Sequence, residues 1–209
     1  ALNLYWMIYK DQLVPTGELS NVGYSIMTNV EKSYRSGAEI TAGFMPVDFI
    51  SWDFSLTFSK NKIIGFTEHY IDYNTTDWSS EYKSRKLGNV DIAYSPAVIG
   101  SSDLAVKIIP EIKIHFISKY VSKQHFDNTM NSERMIKSYL INNVMIGFEP
   151  ETKHIRGAEL QLMVNNIFNA KYESNAYGGN WYEDGIEKGW SYYFPQAGIN
   201  FMLKLGLKF

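Results

Sequence analysis

The chain has 209 residues, a formal net charge of −2 and 45% apolar residues, enough material for one domain with a large apolar surface. Near-neutral charge leaves no basic stripe for nucleic acid. The longest apolar runs, such as Val144-Met145-Ile146, fall far short of the ~18–20 residues of a membrane-crossing helix, so any membrane span must be made by strands. Cysteine is absent, which excludes disulfides, thiolate catalysis and Cys-ligated metal.

In chain order the dominant signal is a period of two. Leu2, Leu4, Trp6 and Ile8 alternate with Asn3, Tyr5, Met7 and Tyr9. These opening residues lack a basic n-region and a small-residue cleavage site, so the chain is expected to start in mid-structure. Ala38–Phe44 and Trp52–Phe58 keep apolar residues at even positions, as do Val90, Ile92 and Tyr94. Leu104 to Phe116 does the same, with Lys107, Glu111, Lys113 and His115 opposite. Val144, Ile146 and Phe148 follow, then Ala158, Leu160, Leu162 and Val164. Ile199, Phe201, Leu203, Leu205, Leu207 and Phe209 close the chain, with Lys204 and Lys208 among the residues between them. Eight strands are expected, each with one apolar and one wet face.

The connections sort by length. Residues 45–51, 95–103 and 149–157 are short and carry Pro46, Pro96 and Pro150; residues 10–33, 60–84, 121–135 and 167–192 are long and polar. Short and long alternate strictly, as do the periplasmic turns and extracellular loops of transmembrane barrels. The 15 Tyr, 12 Phe and 5 Trp fit two interfacial bands, with Phe44, Trp52, Tyr94, Phe148 and Phe209 at the short-turn ends and Tyr34, Phe58 and Phe116 toward the long loops. A soluble β-sandwich or lipocalin-like barrel would share the alternation, but has no reason to sort its loops. The expected fold is therefore an antiparallel transmembrane β-barrel. Leu2, Ile40, Leu56, Val106, Leu162 and Leu205 are expected on its lipid face, and Glu39, Lys113, Glu159 and Lys204 on its lumen face.

Several segments carry a family resemblance. Leu162–Asn169 with Lys171-Tyr172-Glu173-Ser174-Asn175, the stretch Tyr192–Gly198 with Leu207-Lys208-Phe209, and the loop Lys119–Thr129 occur in order. Tyr9–Val14 and Asn29–Gly37 fit a further upstream strand pair. Together they resemble TonB-dependent outer-membrane receptors, of the type found in Bacteroides-like bacteria. The resemblance implies a 22-stranded barrel of which residues 1–209 would be the last eight strands, in the outer membrane of a Gram-negative bacterium. It implies uptake of a scarce nutrient such as a ferric siderophore, haem or cobalamin. Glycan importers share the barrel, but their C-terminal segments look less like this one. The plug that fills such barrels, with the short segment read by TonB, matches nothing in these residues, so coupling to the TonB–ExbB–ExbD system would run through a missing part. Phe209 would be the terminal aromatic read by the barrel-assembly machinery.

No catalytic signature is present: there is no G-x-S-x-G, no phosphate-binding G-x-x-x-x-G-K-[ST] and no H-E-x-x-H, so no enzyme and no cofactor are expected. His69, His115, His125 and His154 lie in four separate segments, and no metal site is expected from them. The row Lys107, Glu111, Lys113 and His115 must avoid lipid and is expected to face the lumen, there to solvate the wall, meet the plug or touch a charged substrate. In the last long loop, Tyr177, Trp181, Tyr182 and Trp190 are candidates for gripping a planar or amphipathic ligand, or for covering the barrel mouth. Glu183, Asp184 and Glu187 beside them offer oxygen ligands for Ca²⁺. Asn166 and Asn169 are expected to cap a turn, since Asn tolerates left-handed backbone.

Two further readings stay open: a complete eight-stranded barrel with a structural or adhesive role, and an outer-membrane hydrolase, for which no Ser/His/acid set is evident. The small inward residues, among them Gly43, Ser55, Ala105, Gly147 and Gly206, would not fill the narrow lumen of a closed eight-stranded barrel. The strands of Leu4 and Leu203 are therefore expected to pair with strands outside these 209 residues.

Overall fold

A computed structural model describes residues 1–19, 25–150 and 157–208. It is all-β. The strands are β1 (Leu2–Leu19), β2 (Ser25–Val47), β3 (Ile50–Tyr73), β4 (Ser80–Asp91), β5 (Val98–Ile109), β6 (Ile112–Val121), β7 (Gln124–His125), β8 (Met135–Ile136), β9 (Tyr139–Phe148), β10 (Gly157–Asn165), β11 (Glu173–Glu183), β12 (Ile186–Pro195) and β13 (Asn200–Lys208). Eight of them form one antiparallel wall in the order β1-β2-β3-β5-β6-β9-β10-β13.

Register turns the alternation into two faces. Trp52, Leu104, Phe116, Val144, Val164 and Phe201 stand side by side across six strands. The next row is Ile50, Val106, Ile114, Ile146, Leu162 and Leu203. At the other end of the wall, Leu2, Ile40 and Leu56 align in the same way. The reverse face carries Lys107, Lys113, Gly147, Gln161 and Lys204 in one row. There Lys204 pairs with Glu159 at 3.1 Å, and Asn3 donates to Glu39 at 3.0 Å. The apolar face is bare: Leu4 is 72% exposed and Phe201 79%. A soluble domain rarely leaves so large an apolar surface uncovered.

Two of the eight wall strands differ from the sequence reading. Residues 104–116 are not one strand but the hairpin β5–β6, turning at Pro110-Glu111, with Ile109 opposite Ile112. The pairing sets Leu104 against Phe116 and Val106 against Ile114, even against even, so the alternation runs through the turn unbroken. Pro110, which cannot donate to a ladder, was the signal for that turn. Val90, Ile92 and Tyr94 are not a wall strand either: β4 ends at Asp91, and Tyr94 has φ +53° in the crossing to β5. The short connections thus fall at 48–49 and 110–111 and between β9 and β10, and the alternation of short and long survives with shifted positions.

The long connections are largely strand too. β3 pairs with β5 over Ile50–Phe58 and with β4 beyond Lys62. Gly65 (φ +67°) and Gly88 (φ +76°) sit at the register shifts of this upper ribbon, where glycine adopts positive φ at no steric cost. The buried clusters lie at this end, not in the wall. One contains Val14, Val30, Ile63, Phe66, Val90 and Ile92; the other contains Phe126, Ile136 and Ala176. Asn166 and Asn169 both have φ +51°. Asn166 accepts from Ala170 N at 2.8 Å and donates to Ala170 O at 2.9 Å, closing the turn after β10 as expected.

Candidate functional site

The last long connection is a hairpin, β11–β12, turned at Asp184-Gly185 with both residues at positive φ (50° and 77°). An Asp-Gly pair suits such a turn. Pairing of Asn175 with Phe194, Tyr177 with Tyr192 and Gly179 with Trp190 puts one aromatic ladder on one face. Tyr177 lies 5.5 Å from Trp190, 5.6 Å from Tyr192 and 5.6 Å from Phe194, and Trp190 lies 5.1 Å from Tyr192. Tyr177, Tyr192 and Phe194 are exposed and Trp190 half-buried. Sequence reading named Tyr177 and Trp190 and missed Tyr192 and Phe194. The period of two from Trp190 onward would have found them.

The opposite face of the hairpin is fixed. Gly178 sits where a Cβ would lie 2.4 Å from Trp190 O and 3.1 Å from the Phe126 ring, so only glycine allows this approach. Further along, Asn180 donates to Glu68 at 3.1 Å, and the Tyr182 ring lies 3.9 Å from that of Tyr70. Tyr182 is 3% exposed beneath the Arg85 guanidinium, 5.6 Å from its ring. Burial raises the pKa of its hydroxyl, and Glu68 and Glu187 raise it further by repelling a phenolate. The expectation that Tyr182 joins an exposed ligand grip is corrected: alternation turns it to the packed side, away from Tyr177 and Trp190. Trp181 is half-buried, donating to Glu183 at 2.8 Å.

An ion chain ties this hairpin to two other connections. Asp127 meets Arg134 at 3.0 Å, Arg134 meets Glu187, Glu187 lies 3.6 Å from Arg85, and Arg85 meets Glu68 at 2.7 Å. Nearby, Lys83 meets Asp72 at 2.7 Å, and Gly185 N donates to the same carboxylate at 3.0 Å. The acidic trio does not converge as a Ca²⁺ site. Glu183 holds Trp181, Asp184 holds Thr75 and Glu187 holds Arg134. Among the described residues no group of three His, Asp or Glu is placed to hold a metal.

Asp72 gives this end of the molecule a pH dependence. The hydrogen bond from Lys83 lowers its pKa most, helped by that from Gly185 N. A depressed carboxylate contributes stability that is complete above its ordinary pKa of 3.8 and lost as pH falls through the lower folded value. The protection of the Gly185 amide, its exchange relative to the intrinsic rate at each pH, is therefore expected to fall only below about pH 4. Loss of protection near pH 6 would contradict this.

The row Lys107, Glu111, Lys113 and His115 does gather on the wet face, around a recess of 340 Å³ that also touches Ala105 and Gln161. It comes from two strands and their turn rather than one strand: Lys107 stands directly opposite Lys113, and Glu111 sits in the turn. His115 Nδ1 lies 2.8 Å from Asp103. Asp103 in turn stands opposite Asp53, beside a second recess of 460 Å³. His69 and His125 lie apart from this row, at the long-loop end, and His154 and Phe209 fall outside the described residues.

No family model matches the chain, and no curated protein does. Solved structures do. The siderophore receptor PiuA of Acinetobacter baumannii superposes with a TM-score of 0.64 over 98% of this chain and 25% of that one, at 12% identity. The ferric-catecholate import receptor Fiu of Escherichia coli K12 gives 0.58, covering 98% of this chain and 24% of its own, at 16% identity. The FrpB iron transporter of Neisseria meningitidis gives 0.56, covering 99% and 28%, at 17% identity. Residues 1–209 therefore span about a quarter of the length of these receptors, and their fold is that of a sector of an outer-membrane β-barrel.

Proposed function

We propose that residues 1–209 are the C-terminal barrel sector of a TonB-dependent outer-membrane receptor, one that imports a ferric siderophore or a similar scarce nutrient. The observation that carries this reading is the wall itself: a bare apolar face, a charged reverse face and all long connections at one end, superposing on siderophore receptors over 98% of the chain. In this reading the apolar face meets lipid, the Lys107–Lys113 face lines the lumen, and the long connections are extracellular. TonB and its partners would act through a plug outside these residues, and Phe209 would serve assembly. Assignment to the Bacteroides type rests on the motifs alone. A closed eight-stranded barrel would need a ladder between β1 and β13; among the described residues β1 pairs with β2 alone and β13 with β10 alone.

The aromatic ladder is the proposed contact for substrate, since Tyr and Trp faces bind planar, amphipathic groups at low entropic cost. Competition binding to the full-length receptor, with a panel of iron chelates, haem and cobalamin, tests the function. For the ligand that binds, Tyr177→Ala and Trp190→Ala are each expected to weaken affinity about tenfold, roughly 1.4 kcal/mol. Unchanged affinity in both would remove the ladder from the site, and binding of none of the panel would contradict the proposed substrate class.

A further inference from the structure

The apolar face does not fade evenly toward the long-loop end on β1–β3. Register places three rows there, all on the apolar face. Trp6, Ser36 and Lys60 form the first; Ile8, Tyr34 and Lys62 the second; Lys10, Lys32 and Ile64 the third. Four lysines on three adjacent strands thus sit immediately beyond Leu4, Ala38 and Phe58. Lys10 and Lys32 are directly opposite each other, a like-charge pair that weakens a ladder unless an anion lies between. Lys62 is neutralised by Asp91 at 2.7 Å. Lys10, Lys32 and Lys60 are exposed and form no salt bridge among the described residues, although Asp11 and Glu31 are next to them in sequence. The Trp6 and Tyr34 rings stack at 6.1 Å and 20° among these rows.

We infer that this patch binds the phosphate groups of outer-leaflet lipid, a phosphorylated glycolipid in a Gram-negative outer membrane. The inference rests on the barrel reading above. Position selects the partner: the lysines stand where the apolar band ends and an aromatic pair marks the interface, the height at which headgroup phosphates lie. Lysine stems lie along apolar surface while their ammonium groups reach that layer. Each lysine near an anionic lipid surface strengthens attraction about fivefold, so three unpaired ones together give about a hundredfold.

The test uses the full-length receptor in phosphatidylcholine nanodiscs doped with bisphosphorylated or dephosphorylated lipid A. After extraction and repurification, retained lipid A is counted by mass spectrometry. Wild type is expected to retain the bisphosphorylated form, and the triple variant K10Q/K32Q/K60Q about a hundredfold less. Lys113→Gln, which removes one charge from the other face, is expected to retain as much as wild type. Dephosphorylated lipid A is expected to bind wild type as weakly as the bisphosphorylated form binds the triple variant. Equal retention by wild type and the triple variant, or equal retention of both lipids, overturns the inference while leaving the barrel reading intact. A receptor that does not enter the bilayer at all overturns both.

Discussion

Replacing Arg134 by Met is expected to destabilise the cap formed by the long connections by about 3–5 kcal/mol while leaving the barrel wall unchanged. Arg134 and Asp127 are each 4% exposed at the side chain, so neither end of their ion pair can fall back on water. Removing the guanidinium leaves Asp127 buried without a counter-charge and breaks the tie between Glu187 of the β11–β12 hairpin and the Asp127–Arg134 connection. The chain Asp127–Arg134–Glu187–Arg85–Glu68 crosses three connections, so its loss should be felt in all of them. Hydrogen exchange reads this directly. The amides of Phe126, bonded to Arg134 O, and of Asp184, bonded to Tyr73 O, should lose protection together. Adding Asp127→Asn to the Met variant should restore part of it, because the orphaned charge is then gone. Protection unchanged in the single variant would show that packing around Phe126, Ile136 and Ala176 holds the cap without the ions.

The second large effect belongs to the wall. Leu162→Arg is expected to cost about 2–4 kcal/mol of folding free energy in lipid vesicles, and Gln161→Arg far less. The two positions are neighbours in β10, yet Leu162 stands between Ile146 and Leu203 while Gln161 stands between Gly147 and Lys204. On the reading proposed above, an arginine at 162 enters hydrocarbon and one at 161 an aqueous lumen lined by Lys107 and Lys113. Denaturant titration of the two variants side by side decides it. Equal costs, or the reverse order, would mean that the faces have been assigned the wrong way round.

Both effects differ in how far they were readable from the residues alone. The wall was legible because a two-residue period needs only neighbours along the chain, and Phe201, Leu203 and Leu205 show it without help. The β5–β6 turn was hidden by the same rule, since an even-to-even hairpin keeps the period through Pro110. The upper ribbon was hidden because Gly65 and Gly88 break the alternation, making extended strand look like loop. The Asp184-Gly185 turn was legible in principle, as was the ladder of Trp190, Tyr192 and Phe194. The ion chain was not: Glu68 and Glu187 lie more than a hundred positions apart, and no local pattern announces that folding joins them through Arg85. Alternation puts Tyr182 and Tyr177, five residues apart, on opposite faces, but which of the two faces is packed depends on the same distant partners.

Open edges state the central claim most sharply. Among the described residues β1 and β13 each carry one unpaired row of backbone groups, and an unsatisfied group in hydrocarbon costs several kcal/mol. A sector of a larger barrel resolves this by pairing both edges with strands beyond residues 1–209. Cryo-electron microscopy of the full-length protein in lipid nanodiscs measures that pairing directly. The strand holding Leu203 and the strand holding Leu4 should each make a ladder with a strand from outside this segment. A ladder joining these two strands to each other would show a closed eight-stranded barrel and contradict the account.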